Sequence, residues 1–312
     1  MIRRSPDIHL AYRGRFAPSP TGPLHFGSLV AAVGSYLDAK SSGGEWLLRM
    51  EDIDTPRVMP GAADGIQRTL EACGMAWDGP VLFQSTRSDA YHDALDQLRA
   101  HGALYGCACT RREIADSNIH DLSSDGGPVY PGTCRNGLPP GRAARATRLR
   151  TSGPCVSSCV TFSDAIQGTL TQDVAREVGD FVLVRADGLM AYQLAVVVDD
   201  AQQGITDVVR GADLLDSTPR QMVLQRWLGL PTPRYAHLPV AINANGEKLS
   251  KQTLARAIPA EQAVPELLRA LTFLGQNPSP ALQRADVQQV WAWATAHWRR
   301  DRIPPVKHQP HG

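Results

Sequence analysis

The stretch Arg15-Phe16-Ala17-Pro18-Ser19-Pro20-Thr21-Gly22-Pro23-Leu24-His25-Phe26-Gly27-Ser28 decides the fold, because it passes from extended to turn to helical character. A short strand is predicted to end near Ala17, a Pro/Gly-rich turn follows, and helical spacing begins at Leu29. A turn between a strand and a helix favours an anion, since it presents backbone N–H groups and the positive end of the helix dipole. Gly27 allows close backbone approach, and His25 can donate to a phosphate oxygen. Taken alone, an ordinary turn with Ser28 as a cap explains these residues better.

The alternation of strand and helix continues beyond this stretch. Residues 45–54 predict a strand that leads into a loop, and 181–201 predict an apolar strand, a tight turn at Asp187-Gly188 and a second apolar stretch. Helical spacing recurs over 29–40, 62–73, 89–101, 218–230, 263–275 and 285–298. The pattern predicts an α/β fold with a parallel sheet. Residues 106–175 break it with five of the six cysteines and many Gly, Pro, Ser and Arg, which indicates an insertion. The polar end of the chain is predicted to be frayed.

Composition excludes several classes of protein. The chain has 312 residues, a net charge of +1 and 43% hydrophobic residues, which are values typical of a folded globular protein. The sequence contains no apolar run of about 18 residues, which is the length that would predict a membrane span. The basic segment 1–16 lacks the apolar core of a signal peptide. We therefore predict a cytoplasmic protein with no membrane partner, whose cysteines are thiols or metal ligands.

A second motif, Lys248-Leu249-Ser250-Lys251-Gln252, lies far along the chain from the first. Its two lysines can pair with a polyphosphate, although such a pattern is more often solvated surface. Together the two motifs resemble the HIGH and KMSKS signatures of class I aminoacyl-tRNA synthetases. RFAPSPTG, MEDID, YQLAVVVDDA and VVRGADLL, in that order, resemble the glutamyl-tRNA synthetase subgroup over most of 13–255. Ser28 and Gln252 depart from the signatures and indicate a distinct subgroup.

The resemblance implies a fold and a reaction. A Rossmann-type parallel-sheet catalytic domain would comprise 13–105 and 176–240, with 106–175 as an inserted zinc-bearing subdomain. The KLSKQ loop and a short helical C-terminal region, without an anticodon-binding domain, would fill 241–312. The glutamate α-carboxylate would attack the α-phosphorus of ATP, with Mg²⁺, to give glutamyl-adenylate and pyrophosphate. The acyl group would then pass to a hydroxyl of RNA.

The resemblance also assigns roles to residues that match the family motifs. It places glutamate against Arg15, Phe16, Ala17, Pro18, Ser19, Glu51, Tyr192 and Arg210. It assigns ATP to His25, Gly27, Lys248, Ser250 and Lys251, and it makes His25, Gly27 and Lys251 catalytic. Charge supports the glutamate set, because a carboxylate pairs well with a guanidinium and an ammonium needs an acceptor such as Glu51. The alternative for Arg15 and Glu51 is a plain ion pair.

The cysteines predict a structural zinc site. Cys107, Cys109 and Cys134 are three candidate thiolates for a tetrahedral ion. Ligand chemistry leaves the fourth position open between His120, Tyr130, Cys155 and Cys159, and it disfavours Tyr130, since a phenol has an ordinary pKa of about 10. The resemblance points to Tyr130, because residues 130–134 are similar to the YxxxC half of a CxC…YxxxC zinc site. It therefore implies one zinc on Cys107, Cys109, Tyr130 and Cys134. Unliganded buried thiols are the alternative.

The length of the chain after the second motif bears on the acceptor. Lys251 is followed by 61 residues, too few for the anticodon-binding domain of a full-length glutamyl-tRNA synthetase. With HFGS and KLSKQ, this pattern resembles the glutamyl-Q tRNA(Asp) synthetases. Those enzymes transfer glutamate to the cyclopentene diol of queuosine, at the wobble position of tRNA(Asp). The resemblance thus implies a monomer with L-glutamate, ATP and queuosine-containing tRNA(Asp) as partners.

Other functions stay open at this point. A truncated synthetase could charge the 3′ end of tRNA(Glu) or tRNA(Gln), or a non-catalytic paralogue could bind RNA. A glutamine-specific site is disfavoured, because a neutral amide would leave the charge of Arg210 unpaired. Four arginines after the zinc motif are predicted either to bind RNA phosphates or to form a solvated face, namely Arg142, Arg145, Arg148 and Arg150.

Overall fold

The computed structural model describes residues 11–116, 127–243, 246 and 257–311. The predictions for Lys248, Ser250, Lys251 and Gln252, and the alternative ligand His120, lie outside these residues. None of the helices in the described part of the chain combines the length and the apolar character that a bilayer crossing requires.

Short strands and helices alternate along the described chain. The strands are β1 (Arg13–Phe16), β2 (Glu45–Met50), β3 (Leu82–Phe83), β4 (Leu104–Cys107), β5 (Ala146–Leu149), β6 (Cys159–Asp164), β7 (Gly168–Asp173), β8 (Phe181–Val184), β9 (Asp207–Gly211), β10 (Arg234–Leu238), β11 (Val240–Ile242) and β12 (His308–Pro310). The α-helices are α1 (Phe26–Ser41), α2 (Ala62–Ala72), α3 (Ser88–Ala100), α4 (Arg111–Asp116), α5 (Val174–Glu177), α6 (Tyr192–Gln202), α7 (Thr218–Leu228), α8 (Ala263–Phe273) and α9 (Val287–His297).

Parallel strands form the centre of the fold. β1, β2 and β3 lie side by side in that order, and β7, β6, β10 and β9 form a second group in which β6, β10 and β9 are parallel. The backbone N–H of Thr206, just before β9, donates to the carbonyl of Arg13 in β1 at 2.9 Å and so links the two groups. Helices connect the parallel strands, as such crossovers require. The predicted α/β fold with a Rossmann-type parallel sheet is confirmed.

The segment 106–175 contributes strands to two places. Its strand β5 lies between β4 and β8 in a small antiparallel sheet. Further along, β6 and β7 form an antiparallel hairpin, and β6 joins β10 of the parallel group. The cysteine-rich region is therefore attached to the parallel strands through β6.

Apolar spacing explains how α1 packs. Leu29, Val33 and Leu37 recur at helical intervals and are fully buried against the parallel sheet, with Tyr36 partly buried beside them. The second apolar stretch after the Asp187-Gly188 turn is the helix α6. It packs into another buried cluster together with α3 and α7.

The end of the chain contradicts the prediction of a frayed tail. β12 pairs in parallel with β11. Nε and Nη2 of Arg300 donate to the two carboxylate oxygens of Asp38 at 2.8 and 2.6 Å. Asp38 is buried in α1, and a buried carboxylate requires such a partner. The polar residues near the end are therefore held against α1.

Candidate active site

A cavity of about 670 Å³ opens where the carboxyl ends of β1, β2, β9 and β10 meet. In open α/β sheets ligands bind at this edge. All described residues of the predicted glutamate and ATP sets line it, namely Arg15, Phe16, Ala17, Pro18, Ser19, His25, Gly27, Glu51, Tyr192 and Arg210. The fold thus brings together residues that are widely separated in the sequence.

The turn between β1 and α1 forms one wall of the cavity. His25, and not Ser28, is the residue that caps α1, since its Nδ1 accepts from the backbone N–H of Ser28 at 3.4 Å. The other ring nitrogen lies 3.1 Å from the Ser28 hydroxyl. Gly27 and Ser28 also line the cavity, so the N-terminus of a 16-residue helix faces it. This arrangement is suited to an anion.

A network of buried charges includes two residues that line the cavity, Arg15 and Glu51. Nε of Arg15 donates to Oδ1 of Asp200 at 3.1 Å, and Nη1 of Arg49 lies 2.8 Å from the same oxygen. Nη2 of Arg49 lies 3.5 Å from Oε1 of Glu51. Arg15 therefore pairs with Asp200 and not in a simple pair with Glu51. Buried charges persist only when they are compensated in this way.

Burial and charge act differently on the two carboxylates. Burial tends to raise the pKa of Asp200, but Arg15 and Arg49 outweigh it and hold that pKa below its usual range. Burial raises the pKa of Glu51, because Arg49 and Arg15 compensate it less completely. Glu51 is thus the carboxyl whose ionised form would gain most from an added cation.

Arg210 is a guanidinium held by neutral groups. Nη2 donates to Thr218 Oγ1 at 2.8 Å and to Gln221 Oε1 at 2.9 Å, and Nε donates to Nε2 of His237 at 3.0 Å. Nη1 points to the hydroxyl of Tyr192 at 3.4 Å. Within the described residues, no carboxylate hydrogen-bonds directly to this arginine, although it is only 5% exposed. Arg210 lines the cavity together with Glu51 and Asp213, but neither carboxylate bonds to it directly.

Sequence reasoning missed four buried residues around Arg15 and Arg210. Arg49 and Asp200 belong to the charge network of Arg15, whereas His237 contacts Arg210 and Asp164 contacts His237. A usable signal was present for two of them, since Arg49 interrupts the apolar strand EWLLRM and Asp200 ends the apolar run of YQLAVVVDD. Charged residues in such positions are seldom buried without a partner.

Comparison with known proteins identifies the family. The pattern of class I tRNA synthetases (E and Q), catalytic domain, matches residues 11–275. The chain is 64% identical over 293 residues to glutamyl-Q tRNA(Asp) synthetase of Dechloromonas aromatica, covering 94% of this chain and 96% of that protein. It is 60% identical over 298 residues to the protein of the same name from Aromatoleum aromaticum, covering 96% and 92%. The chain belongs to the glutamyl-Q tRNA(Asp) synthetase family.

The solved structures agree on the fold. A glutamate tRNA ligase from Elizabethkingia meningosepticum, crystallised with its amino acid, superposes with a TM-score of 0.77 at 24% identity. The superposition covers 97% of this chain and 67% of that one. The match to the class I catalytic domain and the named relatives show that this glutamyl-Q tRNA(Asp) synthetase family member is a class I synthetase-like ligase.

The predicted metal ligands of this synthetase also come together. The sulfur atoms of Cys107, Cys109 and Cys134 all lie within 4.8 Å of one another, a cluster that could hold a metal ion. Cys109 Sγ lies 3.6 Å from Cys134 Sγ, and the Tyr130 hydroxyl lies 3.4 Å from Cys107 Sγ. Two sulfur ligands about 2.3 Å from a tetrahedral zinc would stand roughly 3.8 Å apart, and a sulfur and an oxygen slightly less. The spacing therefore fits zinc.

The other candidate cysteines lie elsewhere. Cys155 and Cys159 are exposed and do not belong to the cluster found among the described residues. Arg148 instead joins the site, with its guanidinium 3.7 Å from the centre of the Tyr130 ring. Burial tends to raise the pKa of Cys107, but the neighbouring Tyr130 hydroxyl and the charge of Arg148 outweigh it and bring that pKa to about 7. A thiol so shifted readily supplies the thiolate that a metal requires.

The structure divides the four arginines predicted to bind RNA. Arg148 is buried and donates from Nη1 to the carbonyl of Asp180 at 2.6 Å, so the prediction is wrong for this residue. Arg142 pairs with Glu113 at 2.7 Å, and Arg150 donates to the carbonyl of Arg135 at 2.8 Å. Arg145 is exposed, and its guanidinium has no ion pair with the described residues. Of the four, Arg145 alone stays free for phosphate within the described structure.

Proposed function

We propose that this synthetase activates L-glutamate with ATP and Mg²⁺ and transfers the glutamyl group to the queuosine base at the wobble position of tRNA(Asp). The observation that carries the glutamate step is Arg210, a buried guanidinium whose direct partners among the described residues are neutral and which lines the cavity. A substrate carboxylate would complete it, since charge-assisted hydrogen bonds are the strong ones.

The cavity offers a complementary group for each part of glutamate. Arg210 and the hydroxyl of Tyr192 would hold one carboxylate, and Arg15 would face the other. Glu51 would accept the ammonium group, which would lower its raised pKa. Phe16, Ala17, Pro18 and Ser19 line the cavity beside Arg15 and would enclose the substrate. Glutamine fits less well, because its amide would leave Arg210 without a counter-ion.

The helix terminus at the turn supplies the site for ATP. His25 and Gly27 would lie against the phosphates at the start of α1. Lys248, Ser250 and Lys251 would add cations and a hydroxyl from the second motif. The carboxylate of glutamate would attack the α-phosphorus and release pyrophosphate, and Mg²⁺ would neutralise the phosphate oxygens. The chain contributes mainly position and charge to this step, as is usual for displacement at phosphorus.

The acceptor is inferred from the relatives. Proteins named glutamyl-Q tRNA(Asp) synthetase match nearly the whole chain at 58–64% identity. A hydroxyl of the queuosine diol would attack the carbonyl of glutamyl-adenylate, form an ester and release AMP. The proposal includes a cytoplasmic monomer whose catalytic domain comprises 13–105 and 176–240.

We propose zinc as the metal of the cysteine cluster. The thiolates of Cys107, Cys109 and Cys134 and the phenolate of Tyr130 would hold it. Four protein ligands leave no open position, so the ion would be structural. It would join β4 to the loop that precedes β5 and so stabilise the small antiparallel sheet.

Two assays on the purified full-length protein test the function. Glutamate-dependent exchange between ATP and pyrophosphate tests activation, with glutamine as the matched control. Transfer of labelled glutamate to tRNA(Asp), with and without queuosine, tests the acceptor, and mapping the attachment site completes the test. We expect exchange with glutamate and labelling of the modified tRNA alone. Equal labelling of both tRNAs would contradict the proposed acceptor, and absence of exchange would contradict activation.

A further inference from the structure

The guanidinium of Arg210 is held from behind by a buried histidine. His237, in β10, is fully buried, and its Nε2 accepts a hydrogen bond from Nε of Arg210 at 3.0 Å. The hydroxyl of Thr218 lies 3.3 Å from the same nitrogen and itself accepts from Nη2 of Arg210. An arginine cannot accept a hydrogen bond. Nε2 of His237 must therefore be the unprotonated nitrogen of the ring.

A buried aspartate fixes that state of the histidine. Nδ1 of His237 lies 2.6 Å from Oδ2 of Asp164, at the end of β6. With Nε2 as acceptor, the proton must sit on Nδ1 and be donated to this carboxylate. If the proton moved to Nε2, two donors would face each other across 3.0 Å. The other tautomer is thus incompatible with the position of Arg210.

The aspartate is itself held by backbone hydrogen bonds. Oδ1 accepts from the backbone N–H groups of Ile166, Gln167 and His237 at 3.0, 2.9 and 3.1 Å. The side chain of Asp164 therefore uses both oxygens within the turn after β6 and the adjacent strand β10. These hydrogen bonds favour the ionised carboxylate, since each is donated to one of its oxygens.

We propose that Asp164 and His237 are positioning residues that fix the orientation of Arg210 for recognition of the glutamate carboxylate, an inference that rests on the proposed function. Asp164 selects the tautomer of His237, and His237 holds the Nε edge of Arg210. Thr218 and Gln221 hold Nη2, so Nη1 is the nitrogen left to face Tyr192 and the cavity. The negative charge of Asp164 compensates the positive charge of Arg210 through His237. The position beside Nη1 of Arg210 is thus left for the carboxylate of the substrate.

Two substitutions of the histidine separate its two contacts. In His237→Asn, the side-chain amide can still donate to Asp164 from the position of Nδ1. It is too short to accept the hydrogen bond from Nε of Arg210. Gln in His237→Gln can place Oε1 where Nε2 was and accept from Arg210, but it loses the contact with Asp164. We expect the KM for glutamate to rise at least about tenfold in His237→Asn and clearly less in His237→Gln, with the KM for ATP unchanged in both.

Asp164→Asn tests the remote member, and Asp207→Asn is its matched control. Asp207 is also buried and lies on the same strand as Arg210, but it pairs with Arg234 at 2.7 Å and does not line the cavity that Arg210 lines. We expect Asp164→Asn to raise the glutamate KM several-fold and to admit glutamine more readily. We expect Asp207→Asn to leave both KM values unchanged. ATP–pyrophosphate exchange gives these constants, and thermal melts confirm that each variant folds.

A measurement on the wild-type protein covers the case in which the variants do not fold. Nitrogen-15 NMR of the His237 ring should show a protonated Nδ1 and an unprotonated Nε2. The opposite tautomer would overturn the proposal. A glutamate KM unchanged in His237→Asn would also overturn it. So would an equal rise of the KM values for glutamate and ATP in both histidine variants. Wild-type protein that shows no glutamate-dependent exchange would instead defeat the proposed function, and the tautomer measurement would still decide the positioning.

Discussion

Arg210 at the cavity and Arg148 at the cysteine cluster are both buried, at 5% and 8% exposure, yet the chain uses them differently. Arg210 is held at its edges and keeps Nη1 directed toward a cavity. Arg148 lies with its face 3.7 Å from the centre of the Tyr130 ring and donates to the carbonyl of Asp180. Burial of a guanidinium therefore does not by itself mark a substrate site. The feature that marks a substrate site is an N–H donor directed into a cavity.

The two arginines also differ in the source of the negative charge that compensates them. Arg210 has neutral direct partners among the described residues, so its counter-ion would arrive with the substrate. The positive charge of Arg148 helps to bring the pKa of the Cys107 thiol to about 7. A zinc ion with three thiolates and one phenolate would carry excess negative charge. Arg148 would supply part of the compensation from within the chain.

Lysine at each arginine position gives the largest expected effect. Arg210→Lys keeps the charge but loses the fork that bonds His237, Thr218 and Gln221, so kcat/KM for glutamate activation should fall by about 10²–10³-fold. Arg148→Lys loses the stacking on Tyr130, so the melting temperature should fall by a few degrees, while glutamate activation stays within about threefold. Exchange assays, zinc content and thermal melts measure both. A common loss of activation in the two variants would remove the distinction between the regions.

The acceptors of the two arginines predict different responses to pH. Burial lowers the pKa of His237 to about 4 despite Asp164, whereas the carbonyl that accepts from Arg148 does not titrate. A lowered histidine pKa means that protonation favours the unfolded chain. The free energy of unfolding should thus be unaffected by this group above about pH 6.5 and fall by up to roughly 3 kcal/mol toward pH 4.

Denaturant unfolding at pH 7, 5.5 and 4.5 measures this effect. The wild type should lose stability over this range, and His237→Gln should lose less, so that the difference between them narrows in acid. Titratable groups that do not contact His237 act equally on both proteins and cancel in the comparison. A constant difference across the range would show that His237 does not titrate in folding.

A pair of tyrosines separates metal binding from aromatic packing. Tyr130→Phe keeps the ring beneath Arg148 but removes the proposed oxygen ligand, so zinc affinity should fall at least about tenfold. Tyr105→Phe is the control, because its hydroxyl donates to Asp180 at 2.7 Å and its ring lies 5.0 Å from the guanidinium of Arg150. Competition with a chromogenic chelator gives the affinities. Equal zinc affinity in the two variants would exclude Tyr130 as a ligand.

Local patterns in the sequence predicted much of this molecule. Helical spacing identified α1, and strand–helix alternation identified the parallel sheet. Motif resemblance gathered Arg15, Glu51 and Arg210, and the structure places all three at one cavity. Spacing could not find Asp164 or His237, because their contact joins strands that are 73 residues apart in the chain. Spacing also could not show that the side chain of Arg148 is buried, because that burial depends on a long-range hydrogen bond to the carbonyl of Asp180.

The smallest expected effect concerns Arg145, the exposed member of the four arginines near the cysteine cluster. Arg145→Glu should weaken tRNA binding a few-fold and reduce the slope of log K against log salt by about one, because one phosphate contact is lost. Arg299→Glu is the control for net charge, since Arg299 is exposed, pairs with Asp301 and lies in the C-terminal region. A salt titration of tRNA binding distinguishes them. Equal losses in both variants would mean that RNA responds to the total charge of the protein. A loss confined to Arg145→Glu would show that Arg145, immediately before the strand that carries the buried Arg148, contacts RNA.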